Sequence, residues 1–263
     1  MSEERSETSS PMRVLVTGGA SGIGLATAEL FSERGERVAI LDRESAGDVA
    51  DRIPESAIYV RADVTDDAAV VDAVGTAIAQ LGGLDVLVNN VGIGAQGTVE
   101  ANDDDEWLRV FDVNVVGLVR VTRAALPALR LSDRAAIVNT SSIAATAGIP
   151  QRALYSASKG AVAALTRAMA ADLIRDGIRV NAVNPGTADT PWVGRLLEAT
   201  DDPVAERGAL ERRQPHGRLV TAAEIAHAIV YLAASTSGST TGTSLAVDGG
   251  MAELRLRAPD GNA

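Results

Sequence analysis

The chain has 263 residues, 46% hydrophobic and 22% charged, with 24 basic against 35 acidic side chains and a formal net charge of −11, which fits one ordinary globular domain. Such a domain buries roughly three quarters of its unfolded surface. It has no cysteine and only two histidines, His216 and His227, which excludes thiolate nucleophiles, iron–sulfur clusters and the common zinc sets, so no metal site is expected.

An acidic chain with 3% aromatic residues repels phosphate backbones and offers few stacking platforms, so nucleic acid is not an expected partner. Residues 1–11 are polar and acidic and read as a disordered tail, not a secretory signal. No apolar run approaches the roughly 20 residues of a membrane span; the expected location is cytoplasmic.

From Arg13 onward, short β-branched runs alternate with longer alanine-rich segments. Strands are expected at 14–16, 38–41, 57–60, 86–88, 136–139, 178–183 and 245–247, and helices at about 22–35, 66–81, 103–131, 152–176 and 221–234. Strand, helix, strand in repetition predicts an α/β fold, a doubly wound parallel sheet of about seven strands with helices on both faces, in one domain over 12–251.

Helix starts are marked by Thr65 before Asp66 and Asp67, by Asn102 before the acidic run 103–106, and by the capping box Thr221–Glu224. The acidic run complements a helix dipole and needs no ligand. The charged segment 191–214, inserted between a strand and the last helix, is expected to be a substrate lid. Residues 252–263 read as a C-terminal tail.

The string Thr17-Gly18-Gly19-Ala20-Ser21-Gly22-Ile23-Gly24 follows the first strand and opens the first helix. Glycines there permit a tight turn and let backbone N–H groups approach an anion at the positive end of the helix. Gly18, Ser21, Gly22, Ile23 and Gly24 are therefore candidate cofactor-binding residues. The second strand ends in Asp42, 18 residues beyond Gly24, where a carboxylate can accept from both hydroxyls of an adenosine ribose but repels a 2′-phosphate. Arg43 beside it could pair with such a phosphate. The carboxylate favours NAD over NADP.

Tyr155 and Lys159 lie four residues apart in a helical segment, hence on one face. An ammonium beside a phenol stabilises phenolate and is expected to lower its pKa from about 10 toward neutrality, giving a usable acid/base. Ser141 and Ser142 end a strand one loop upstream and supply a hydroxyl that can hold a carbonyl oxygen. The same helix reads Ser156-Ala-Ser-Lys159, a Ser-x-x-Lys pattern, but neither Ser-Asp-Asn nor Lys-Thr-Gly accompanies it.

With these motifs in order, the chain from Arg13 to about Met251 resembles the short-chain dehydrogenase/reductase family, a Rossmann-type fold. Further matches are Asp63-Val64 after the third strand, where the family meets the adenine amine, and Asn89-Asn90-Val91-Gly92 after the fourth, with Val91 in place of the usual alanine. The resemblance implies a catalytic tetrad of Asn114, Ser142, Tyr155 and Lys159, in which Asn114 holds a water of a proton relay and Lys159 binds nicotinamide ribose. It also implies cofactor contacts from Asp63, Val64, Asn90 and Gly92, and from Pro185, Gly186, Ala188 and Thr190 in the loop 184–190, together with a homotetramer built on the fourth and fifth long helices.

For the substrate, Arg152 stands three residues before Tyr155, and Arg212-Arg213-Gln214 closes the lid segment, with Arg195 earlier in it. An arginine one turn from the acid/base can aim its fork at a carboxylate; the alternative is a solvated surface. The segments 152–155, 185–191 and 213–219 are similar to a subgroup that includes type 2 3-hydroxybutyrate and 2-keto-3-deoxy-L-fuconate dehydrogenases. That likeness implies that Arg152 and Arg213 grip the acid, alongside Ser142 and Tyr155. The expected function is an NAD-dependent dehydrogenase of a small hydroxy acid or sugar acid. The rivals are a sugar or secondary-alcohol dehydrogenase, a 3-oxoacyl-thioester reductase of the same fold, and a non-catalytic dinucleotide sensor.

Overall fold

A computed structural model describes residues 10–198 and 200–256; most of both expected tails lies outside them. Seven strands form one sheet: β1 (Arg13–Thr17), β2 (Arg37–Asp42), β3 (Ile58–Arg61), β4 (Val86–Asn89), β5 (Ala136–Thr140), β6 (Arg179–Pro185) and, last in the chain, β9 (Ser244–Val247). Their order is β3-β2-β1-β4-β5-β6-β9, and every pairing is parallel. Each of the seven expected strands is present. A second sheet of two short parallel strands, β7 (Ala188–Asp189) and β8 (Val220–Thr221), was not expected, because two residues carry no periodicity.

The helices are α1 (Gly22–Glu33), α2 (Ala46–Val49), α3 (Asp67–Leu81), α4 (Asp104–Phe111), α5 (Gly117–Leu129), α6 (Ala153–Leu173), α7 (Pro191–Glu198), α8 (Pro203–Arg212) and α9 (Ala222–Ala233). Consecutive residues of a strand point to opposite faces, so the continuous apolar runs feed two cores. Leu15, Leu41 and Leu87 pack beneath α3, α5 and α6 with Val74, Leu81 and Val121. Val14, Val16 and Val88 pack against α1 and α9 with Phe31, Ile225 and Ile229. No described helix is long and apolar enough to cross a membrane.

The expected single helix over 103–131 is interrupted. A π-helical turn at Asp112–Val116 separates α4 from α5 and carries Asn114. Two helix starts fall one residue later than expected. Asp66 and Asp103 are the caps, accepting from Ala69 N and Glu106 N, because Thr65 turns back to Asp63 and Asn102 donates to Gln96 O. The capping box Thr221–Glu224 is formed as read. Segment 191–214 is not a loop but two helices, α7 and α8, and Asp202-Pro203, a cap followed by proline at the first helical position, is the start signal that its charge obscured.

Candidate active site

The strand order reverses between β1 and β4, and the crevice beyond the carboxyl ends of the strands at such a point is where ligands bind in this architecture. A cleft of about 470 Å³ lies there. It brings together every residue singled out for the site except Gly24 and Asn114.

At one end lie the glycine turn and the acidic ends of β2 and β3. α1 begins without a side-chain cap and with no acidic residue in its first turn, unlike α3, α4 and α9, so its first amides face the cleft free of an internal acceptor. Gly22 adopts φ +55, a conformation that disfavours any side chain. Gly24 serves packing: a Cβ there would lie 2.1 Å from Gly18 O and 2.6 Å from Asn90 Nδ2. Asp42 holds the turn by accepting from Ala20 N at 3.1 Å and from Arg43 N at 2.7 Å. Asp63 accepts from the backbone and hydroxyl of Thr65, and these bonds hold its carboxyl below the usual range.

At the centre, α6 is registered against β5 by two hydrogen bonds: Ser141 Oγ donates to Lys159 O at 2.9 Å, and Lys159 Nζ donates to Thr140 O at 2.8 Å. Behind them a buried polar chain runs from α5 through the sheet to α6. Asn89 Nδ2 donates to Thr122 Oγ1 and Asn139 Oδ1, both at 3.0 Å, and Asn139 Nδ2 donates to Thr166 Oγ1 at 2.9 Å.

Asn114 is buried behind the cleft wall. Its Oδ1 accepts from Ile93 N at 2.8 Å, while Nδ2 donates to Ile93 O at 2.9 Å and Ser158 Oγ at 3.0 Å. Ser158 in turn donates to Tyr155 O at 2.8 Å. The side chain of Asn114 is thus occupied in fixing the loop after β4 and the start of α6. Ser158 carried no signal in the sequence, since a serine inside a helix gives no sign of its partner.

The electrostatics correct one expectation. Burial pushes the Tyr155 phenol above its ordinary value, while the Ser142 hydroxyl and the charge of Arg152 pull it back. Lys159 is itself buried, which lowers its pKa to about 8; its ammonium lies 5.9 Å from the centre of the Tyr155 ring and points at Thr140 O. Desolvation is thus the largest influence on the phenol, ahead of Ser142 and Arg152. Ser142 Oγ accepts from Ala144 N at 3.1 Å, which fixes the hydroxyl at the start of a 3-10 turn.

At the far end, Arg152 and Arg213 converge. Burial first, and then the charge of Arg213, lower the Arg152 pKa, with Tyr155 and Glu206 acting the other way. Arg195 also lines the cleft, as do Ile93, Ile143, Ile149, Leu196 and Met251. These apolar walls come from loops and the two helices over the cleft, where isolated side chains leave no pattern to read. His216 packs against Gly249 and does not line the cleft.

Comparison with known proteins gives a consistent picture. A family model described as enoyl-(acyl carrier protein) reductase matches residues 18–252. The cis-4-hydroxycyclohexanecarboxylate dehydrogenase of Sinomonas cyclohexanicum is 43% identical over 241 residues, 90% of this chain and 94% of that protein. The inactive 2-(S)-hydroxypropyl-CoM dehydrogenase 2 of Xanthobacter autotrophicus is 43% identical over 223 residues, 84% of this chain and 96% of that protein. Among solved structures, the 3-ketoacyl-(acyl-carrier-protein) reductase of Brucella melitensis complexed with NADH aligns with TM-score 0.83 and 35% identity, covering 91% of this chain and 97% of that one.

Proposed function

The chain belongs to the short-chain dehydrogenase/reductase family and is a dinucleotide-dependent oxidoreductase of secondary alcohols and their ketones; from that premise we propose that it is an NAD-dependent dehydrogenase of a small hydroxy acid or sugar acid. The observation that carries the substrate class is the pair Arg152 and Arg213, two guanidinium groups that share the cleft and neither of which forms an ion pair among the described residues. A carboxylate between them relieves both their mutual repulsion and the cost of burying Arg152. The likeness to a dehydrogenase of a cyclic hydroxy acid supports the same reading. The narrower likeness to 3-hydroxybutyrate and keto-deoxy-fuconate dehydrogenases rests on the arginines and the loops around them.

The residues present fit the dinucleotide. The uncapped start of α1 suits a diphosphate, and Asp42 suits an unsubstituted ribose, which supports NAD over NADP; Arg43 lies in the same part of the cleft. Gly18, Ser21, Gly22 and Ile23 would take the diphosphate, Asp63, Val64 and Asn90 the adenosine side, and Gly92, Pro185, Gly186, Ala188 and Thr190 the nicotinamide side. Gly24 supports the turn from behind. When bound, the nicotinamide ring supplies the hydride acceptor or donor.

Tyr155 Oη takes the carbinol proton in oxidation and returns it in reduction. Ser142 Oγ steadies the substrate oxygen. Lys159 holds positive charge near the phenol and would bind the nicotinamide ribose hydroxyls. Asn114 acts as a positioning residue by fixing Ile93 and, through Ser158, the start of α6. Helices α7 and α8 form the substrate lid. A homotetramer through α4, α5 and α6 goes with this reading, on a face where Leu108 is 70% exposed and Val116 40% exposed, as does a cytoplasmic location, where nicotinamide dinucleotides are abundant.

NADH formation followed at 340 nm, with hydroxy acids set beside the matching neutral alcohols, tests the substrate class. Deleting one charge-assisted hydrogen bond in a buried site costs about 1.5–3 kcal/mol, roughly 10- to 100-fold. Arg152→Ala is therefore expected to raise KM for the best acid by at least about tenfold more than for its neutral analogue. Equal changes for both would contradict carboxylate recognition.

A further inference from the structure

Trp192, the second residue of α7, lines the cleft and is 41% exposed, so part of its indole faces solvent while part walls the site. Its other neighbour is backbone. A Cβ placed on Gly94, in the loop after β4, would lie 2.3 Å from Cζ2, 3.0 Å from Cη2 and 3.2 Å from Cε2 of the indole. Gly94 is not among the glycines with positive φ, so the bare backbone there serves space and not conformation. The six-membered ring of Trp192 occupies that space and bridges the lid to the loop.

Around it the substrate end of the cleft combines two chemistries. Ile93, Ile143, Ile149, Leu196 and Met251 give apolar walls, while the charged groups are Lys159 on α6, Arg152 at its start, and Arg195 and Arg213 from the lid segment. The acidic lining residues, Asp42, Glu44 and Asp63, all lie at the end of β2 or in the segments that follow β2 and β3. The indole lines the same cleft as Tyr155, Arg152 and Arg213.

We propose that Trp192 is a specificity-determining wall that selects substrates carrying an apolar, ring-bearing body between the reacting carbinol carbon and the anion. This rests on the hydroxy-acid reading above. A saturated ring presents a row of C–H groups to the indole and spans the gap without freezing rotors. A short open chain leaves the indole uncovered and loses rotamer freedom on being held at both ends.

The test compares kcat/KM for cis-4-hydroxycyclohexanecarboxylate, 3-hydroxybutanoate, cyclohexanol and 2-butanol with NAD, in the full chain and in Trp192→Ala, Trp192→Phe and Gly94→Ala. The wild type is expected to prefer the ring acid over the open acid. Trp192→Ala and Gly94→Ala, the second by displacing the indole, are expected to shrink that preference by at least about tenfold, the range of a reshaped apolar pocket, with the loss falling on KM. Trp192→Phe is expected to keep most of it. Equal loss on both acids in Trp192→Ala, or no change in the ratio, overturns the proposal. If cyclohexanol is turned over as well as the ring acid, the hydroxy-acid reading fails instead, and the wall is then judged on cyclohexanol against 2-butanol. A tenfold fall of that ratio in Trp192→Ala upholds the wall, and an unchanged ratio overturns it.

Discussion

Lys159 is 4% exposed, and among the described residues its ammonium has one hydrogen-bond acceptor, Thr140 O at 2.8 Å. Burial lowers its pKa from 10.5 to about 8, so the folded chain holds this proton less tightly than the unfolded chain. The penalty is present in full below about pH 8 and fades as pH rises toward 10.5. At about 1.36 kcal/mol per pKa unit it reaches roughly 3 kcal/mol at neutral pH, before the bond to Thr140 is set against it. Lys159→Met is therefore expected to abolish turnover and yet resist urea better than the wild type at pH 7, and the advantage is expected to shrink between pH 8 and 10.5. A variant less stable than wild type across that window would contradict the burial cost. The spacing of Tyr155 and Lys159 was legible in the sequence because one helix carries both. The upward push on Tyr155 was not, because it comes from the walls of the cleft, which other segments supply.

At the scale of elements, the contrast between helix starts is informative. Asp66, Asp103 and Thr221 each accept a backbone N–H of the helix they cap, whereas Ser21 makes no such bond. A diphosphate would take the role that a side chain fills elsewhere. Ser21→Asp supplies an internal carboxylate of the kind that is worth about 0.5–2 kcal/mol at such a position. It is expected to leave thermal stability equal or higher while weakening NADH binding at least about tenfold, as measured by fluorescence titration, since like charges in a helix-terminal site repel. Unchanged NADH affinity would remove α1 from the binding site. The π turn at Asp112–Val116 was invisible in the sequence, because its apolar spacing still looks helical. The helices over the cleft were missed for the opposite reason: charge masked the Asp202-Pro203 start. Asp189 of β7 and Arg207 of α8 meet at 2.7 Å, which ties the lid to the loop before Thr190.

For the whole molecule, the sheet has a polar clamp at the amino ends of its central strands, opposite the cleft. Asp85, 1% exposed in its side chain, accepts from Arg13, Ser132 and Arg134, joining the starts of β1, β4 and β5. Burial alone would raise its carboxyl, but these donors hold it well below the ordinary range. Its contribution to stability is therefore present above about pH 4, the unfolded carboxylate value, and is lost only as acid approaches the depressed folded value. Removing one member of a buried pair costs about 3–5 kcal/mol, so Asp85→Ala is expected to lower the unfolding free energy by that amount, measured by urea denaturation, with KM unchanged. A loss below about 0.5 kcal/mol, the range of ordinary surface substitutions, would show the clamp to be incidental. The seven strands and a parallel sheet covered on both faces followed from alternating runs in the sequence; the strand order and this clamp did not, since Arg13, Asp85 and Arg134 lie far apart in the chain. What the sheet presents at its other end is most directly tested with Tyr155→Phe, by following NADH formation at 340 nm beside NADH binding by fluorescence. A proton-carrying phenol requires turnover to vanish while NADH still binds with near wild-type affinity. Substantial turnover in that variant would contradict the assignment of Tyr155 as the acid/base.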